Sequence, residues 1–192
     1  MRVDDEALRR KLIPELVIPD PVPGGLTPAA VLVGMHEADG EDWILLTRRN
    51  ENMRQHKGQI AFPGGKFDAA EDVHLSDTAL RESWEEIGLL PNHVTMLGSL
   101  PPFDTISSYL LYPFVGRFEW PYDLRANPDE ISELIRVPLR HLCQAEHYRS
   151  EMRDYLGQQV AIHYYDYPPH IIWGITGFVV FEFLKLIEEL AP

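Results

Sequence analysis

Arg81, Glu82, Glu85 and Glu86 carry the residue types and the spacing that metal-assisted chemistry requires. At 100° per residue the three carboxylates fall within an arc of roughly 100° on one side of a helix, beginning next to Arg81. Like charges at i,i+3 and i,i+4 repel by a few tenths of a kcal/mol per pair, so the cluster does not serve the helix itself. A hard divalent cation offsets that repulsion; magnesium and manganese are typically held by a few carboxylates together with water and substrate phosphates. The competing reading is a solvated acidic face with an Arg81 to Glu85 ion pair.

The helix expected to carry these residues runs from Asp77 to Ile87, with Leu80, Trp84 and Ile87 on a buried apolar side. Ser76 or Asp77 is the expected cap, and Gly88 followed by Pro91 marks the end. Upstream, Gln59 to Phe62 reads as a short strand entering Pro63-Gly64-Gly65, where glycine lets the backbone turn sharply and approach a ligand closely. Ala29 to Met35 and Trp43 to Arg48 are apolar runs separated by Glu37-Ala38-Asp39-Gly40, the pattern of a hairpin. Between hairpin and glycine turn, Arg48, Arg49, Arg54 and Lys57 stand close together with Glu51 opposing them. A local basic patch on a chain of net charge −13 suits a small phosphorylated ligand and disfavours nucleic acid or an anionic membrane as partner.

Phe62-Pro63-Gly64-Gly65, followed by a loop and then Arg81-Glu82-x-x-Glu85-Glu86-x-Gly88-Leu89, resembles the Nudix box. Gly65 and Glu71 fit the first half of that pattern, but nine residues rather than seven separate Glu71 from Arg81, and Ser83 takes an aliphatic position, so Glu71 and Asp72 both remain candidates for the first acid. Leu45-Leu46-Thr47-Arg48-Arg49-Asn50, then Arg54, Gly58 and Phe62-Pro63-Gly64-Gly65, is similar to the signature of the coenzyme A pyrophosphatase branch, with Asn50 the one mismatch. That branch also commonly lengthens the loop inside the box.

The resemblance implies an α+β Nudix fold, a mixed β-sheet sandwiched between α-helices, formed as one domain over residues 1–192. It implies metal-dependent hydrolysis of coenzyme A or its derivatives to 3′,5′-ADP and 4′-phosphopantetheine. Glu82, Glu85 and Glu86, with the Gly65 carbonyl, would hold Mg²⁺ or Mn²⁺, and Arg81 would orient the carboxylates. Arg49, Arg54 and Lys57 would position phosphates, with Gly58, Phe62 and Gly64 completing the substrate-binding stretch. Glu130 and Glu133 lie where many Nudix enzymes supply a further acid and are the reserve general bases. The alternatives are a Nudix specificity for ADP-ribose or another nucleoside diphosphate derivative, and a non-catalytic nucleotide or metal sensor on the same fold.

The rest of the chain reads as scaffold. Asp4 to Ile13 is an expected helix followed by a Pro-rich connector to Pro28. Val94 to Leu100, Tyr109 to Glu119, Ile131 to Val137, His147 to Asp154 and Gln159 to Tyr165 are expected strands, Pro138 to Gln144 a helical turn or two, and Trp173 to Leu190 a helix packed on a sheet. The single Cys143 forms no internal disulfide, in keeping with a reducing compartment. The charged N-terminus lacks the apolar core of a secretory signal, and a cytoplasmic location is expected. Ile171 to Phe181 is uncharged but too short to span a bilayer. No HExxH, GxSxG or P-loop string occurs, which argues against zinc hydrolase, serine hydrolase and kinase chemistry. Oligomeric state is left open.

Overall fold

Turn chemistry at Asp39-Gly40 decides the first pairing. Both residues sit at positive φ, 52° and 77°, the handedness that a tight two-residue hairpin needs. In the computed structural model, which describes residues 1–14, 18, 22–52, 57–155 and 157–190, the flanking strands are β1 (Thr27–Ala38) and β2 (Glu41–Arg49). They pair antiparallel from Ala38↔Glu41 to Gly34↔Leu45 and then diverge. The edge of β1 is taken over by β4 (Gly64–Lys66), and that of β2 by β3 (Ile60–Ala61). The chain joining β3 to β4 therefore crosses the opening between the two long strands, and the Pro63 carbonyl pins it by accepting from the Leu32 N–H at 2.9 Å.

On the other side of β1, β7 (Tyr109–Phe118) runs parallel to it, with β5 (Val94–Ser99) and β6 (Phe103–Asp104) antiparallel to β7. β8 (Ile131–Pro138) pairs with β2, with a bulge at Arg48/Arg49. Among the described residues this makes an eight-stranded mixed sheet. Alternation along the strands sorts the side chains to two faces. Ala30, Leu32, Leu45, Tyr112 and Phe114 face α2 (Leu75–Ile87), joined by Leu75, Ala79 and Ile87. Val33, Met35, Ile44, Leu46 and Val115 turn to the opposite face, toward Leu8 of α1 (Asp5–Lys11), Leu139 of α3 (Leu139–Leu142) and Val179, Val180 and Phe183 of α4 (Gly174–Glu188). Each of the buried Val, Leu, Ile, Met and Phe side chains stabilises the fold by roughly 1.5–3 kcal/mol, so both faces must be covered and the helices are needed on both. The expected α+β sandwich is what forms. A separate sheet of β9 (Tyr148–Tyr155), β10 (Gln158–Tyr167) and β11 (His170–Ile172) packs on α4, where the Phe181 and His163 rings stack at 3.9 Å.

The orientation of α2 differs from expectation. Trp84 is 52% exposed and Leu80 only half-buried, while Leu75, Ala79 and Ser83 face the sheet together with Glu86 and Ile87. Small residues at 79 and 83 let the helix approach closely, and the Ser83 hydroxyl satisfies itself by donating to the Ala79 carbonyl at 2.6 Å. The helix also begins earlier, at Leu75, and Asp77 serves its start from the third position by accepting from the Val73 and His74 N–H groups at 3.1 and 2.8 Å. Its end is as expected: Gly88 lies in the left-handed region at φ 71°. Part of the Pro-rich connector falls outside the described residues, and no helix among the described residues is long and apolar enough to cross a membrane.

Candidate active site

The buried side of α2 carries one acid to the mouth of the β1/β2 opening. Glu86 is 3% exposed; its carboxylate accepts from the Gly64 N–H at 3.3 Å and from Arg49 Nη1 at 3.2 Å. Burial pushes its pKa up to about 7 against the pull of Arg49, with Glu82 and Glu130 adding to the rise. Glu82 sits one turn earlier, its carboxylate against the α-carbon of Gly65: a Cβ there would lie 2.5 Å from Glu82 Oε1. Burial raises Glu82 as well, against its bond to Arg81. Glycine at 65 is what leaves room for this carboxylate.

Arg81 is fixed from several directions. Its Nε and Nη2 donate to the two oxygens of Asp72 at 2.9 and 3.1 Å, Nη1 to Glu82 at 2.8 Å and Glu85 at 3.2 Å, and Nη2 also to the Lys66 carbonyl at 3.2 Å. Of the two candidates for the first acid, Asp72 is buried at 5% exposure, while the Glu71 side chain is 58% exposed and reaches Arg81 only at 3.6 Å. Burial acts to raise Asp72, but hydrogen bonds from Arg81, the Asp68 N–H and Thr78 outweigh it and hold the carboxyl below its usual range. The lengthened loop thus delivers the acid one residue later than the box pattern suggests.

Loop 125–127 brings in Glu130. The Arg125 and Asn127 N–H groups donate to the Ile87 and Glu86 carbonyls, each at 2.8 Å, and so cap the last turn of α2. Glu130 follows directly and acts electrostatically on both Glu82 and Glu86. Glu133, the other reserve base, is turned to His170 Nε2 at 3.2 Å. The basic patch is also divided: Arg48 pairs with Glu51 at 3.1 Å, Arg49 with Glu86, and Lys57 is exposed on its loop with Gly58 beside Glu51. Arg54 lies outside the described residues.

Arg49, Phe62, Gly64, Gly65 and Lys66 line a cleft of about 960 Å³ whose far wall is Ile106, Tyr109, Trp173, Ile175 and Val179. The Lys66 ammonium lies over the Tyr109 ring at 5.6 Å. Phe62 is 4% exposed and contributes a wall rather than a handle. Ile106 and Trp173, 68% and 50% exposed, form the lip of this cleft, and the spacing of the sequence does not bring the two together. A larger groove of about 2050 Å³ runs past Trp84, Trp120 and Arg136, away from these carboxylates.

Among the described residues, no three His, Cys, Asp or Glu side chains stand together as a ready-made cation site. Of the three expected carboxylates, Glu82 and Glu86 lie at the glycine turn, while Glu85 is 44% exposed and shares Arg81 Nη1 with Glu82. The donor set still fits a hard divalent ion: two neighbouring, mostly buried carboxylates beside backbone, each now neutralised by a guanidinium.

A family model described as the NUDIX domain matches residues 25–158. The chain is 35% identical over 145 residues to the protein named Uncharacterized Nudix hydrolase NudL of Photorhabdus laumondii, covering 76% of this chain and 77% of that one. To Nudix hydrolase 15, mitochondrial, of Arabidopsis thaliana it is 35% identical over 173 residues, 85% of this chain and 60% of that protein. Among solved structures, a MutT/nudix family protein from Enterococcus faecalis matches in fold with a TM-score of 0.52 at 16% identity, over 93% of this chain and 66% of that one.

Proposed function

The chain belongs to the NUDIX domain family, and from that premise we propose that it hydrolyses the pyrophosphate bond of coenzyme A or its derivatives, releasing 3′,5′-ADP and 4′-phosphopantetheine or its acyl form. One observation carries the reading. Glu86, nearly inaccessible and raised to about 7, lies beside Glu82 and the Gly64-Gly65 turn at the end of a cleft. A buried pair of acids is costly to a fold unless a cation or a proton compensates it.

Glu82 and Glu86 would hold Mg²⁺ or Mn²⁺, with the Gly65 carbonyl beside them and Glu85 at the outer edge. Such an ion supplies neutralisation of the diphosphate and acidification of water. Arg81, immobilised by Asp72, holds Glu82 in place. Arg49 and Lys66, on the cleft wall, orient the phosphates. Glu130, whose charge acts on both Glu82 and Glu86, would take the proton from attacking water. The water oxygen forms the new bond to one phosphorus, the bridging oxygen leaves with the other, and two phosphate monoesters result.

The coenzyme A assignment is supported by the Leu45 to Gly65 stretch, since its members Arg49, Phe62, Gly64 and Gly65 line the cleft, and by the apolar far wall, which suits a pantetheine arm. The test is incubation of purified protein with coenzyme A and Mn²⁺ or Mg²⁺, with products resolved by chromatography. Turnover of ADP-ribose or a dinucleotide without turnover of coenzyme A or its thioesters would move the assignment to another Nudix specificity. Saturable binding without product would mean a sensor.

A further inference from the structure

The two guanidinium groups that neutralise the acidic pair are held very differently. Arg81 donates to two carboxylate oxygens of Asp72, to Glu82, to Glu85 and to a backbone carbonyl. Arg49 reaches Glu86 through a single bond at 3.2 Å, and its Nε is buried with no hydrogen-bond partner among the described residues. An orphaned charged donor loses its solvation without recovering a hydrogen bond, so the contact with Glu86 leaves the arginine fork half used. Arginine is suited to planar, two-pronged contact with phosphate or carboxylate, and Arg49 lines the cleft beside Gly64, Gly65 and Lys66, where a diphosphate would lie.

We propose that Arg49 is an exchangeable positioning residue: it neutralises Glu86 until a divalent cation takes that carboxylate, and then turns its freed fork to the diphosphate. The inference rests on the reading of Glu82 and Glu86 as a cation site. One cation displaces another from Glu86, and the displaced one becomes a substrate ligand. Loading of the ion and grip on the substrate are therefore coupled, and a site without its ion holds substrate poorly even where the phosphate-binding side chain is present. Arg81 does not exchange, because its bonds to both oxygens of Asp72 and to the Lys66 carbonyl hold it in place whatever Glu82 binds.

The test is Mn²⁺ binding followed by the electron paramagnetic resonance signal of the free ion, without substrate, on the full chain and on Arg49→Met and Arg49→Lys. With the competing guanidinium removed, Arg49→Met should bind Mn²⁺ about tenfold more tightly than the wild type, equivalent to ~1.4 kcal/mol. Arg49→Lys, which keeps a cation, should stay nearer the wild type. A merely structural arginine predicts the opposite, since its loss would loosen the site and weaken binding. If Arg49→Met does not fold, Arg49→Gln, which lacks the charge but keeps a polar head, carries the same expectation. Equal or weaker Mn²⁺ binding by the neutral variant, beside a wild type that binds the ion, overturns the exchange alone. A wild type that binds no Mn²⁺, and does not differ from Glu86→Gln, overturns the underlying site reading instead.

Discussion

The α-carbon of Gly65 touches the carboxylate of Glu82, so closely that a methyl group at 65 would stand 2.5 and 2.6 Å from its two oxygens. The obstacle is the far end of a flexible side chain, and Gly65→Ala should therefore keep the fold, within about 1 kcal/mol in denaturant unfolding, while displacing Glu82 and lowering kcat/KM by about 10²-fold. Gly64 is the contrast. A Cβ there meets backbone, the Ala30 carbonyl oxygen and the Val31 α-carbon, the latter at 2.6 Å. Gly64→Ala should cost about 2–3 kcal/mol of stability as well as activity.

Asp72 and Glu71 separate just as sharply. Asp72→Asn leaves Arg81 with a neutral partner in a dry place and should destabilise the fold by about 2 kcal/mol, together with a loss of activity as Glu82 loses its anchor. Glu71→Gln, at a side chain 58% exposed, should change stability by no more than about 0.5 kcal/mol. Urea melts of the two variants side by side decide between them.

Glu86→Gln should reduce kcat by about 10³-fold, or ~4 kcal/mol of barrier, with an intact circular dichroism spectrum. Glu130→Gln should lower kcat by about 10²-fold and leave KM near its starting value, as removal of a proton acceptor does. Glu133→Gln, whose carboxylate is occupied by His170, should leave turnover within about threefold. Comparable losses at 130 and 133 would reassign the base.

A separate prediction concerns pH and stability. His36 is fully buried between Trp43, Phe118 and Trp120, and its Nε2 accepts from Arg136 Nε at 3.0 Å, so the ring is neutral. Burial, then Arg136, depress its pKa to about 4 from the ordinary 6.5. Above pH 6.5 the ring is neutral in both folded and unfolded chains and its contribution is complete. Between 6.5 and 4 the unfolded chain takes up the proton first, and stability falls as pH falls, by up to about 3 kcal/mol from this group. Unfolding free energies measured from pH 7 to pH 4 should show that slope, and His36→Gln should flatten it.

Much of the site was legible because it is written in local chemistry. Asp39-Gly40 specifies the hairpin, Gly88 ends α2, and the spacing of Glu82 and Glu86 places both near the glycine turn. Apolar character finds only part of the buried face of α2: Ile87 is buried as expected, but close helix-to-sheet approach selects Ala79 and Ser83 and leaves Trp84 outside. Asp72 was hidden by its neighbour: two adjacent acids are equivalent in a string, and only the fold of the loop chooses one. Ile106 lies in Phe103 to Ser108, a loop similar to the segment before the long strand of the coenzyme A branch, but its meeting with Trp173 had no signal, since it joins segments far apart in the chain. β4 is three residues long, too short for alternation to show.

The two N–H groups of Arg125 and Asn127 that close the end of α2 tie the proposed proton acceptor to the helix bearing the acidic pair. Reacting groups fastened to one piece of backbone keep their spacing as ligands come and go. The exposed rim at Ile106 and Trp173 stands on the opposite wall of the cleft, so a ligand meeting that rim leaves the fastened groups undisturbed.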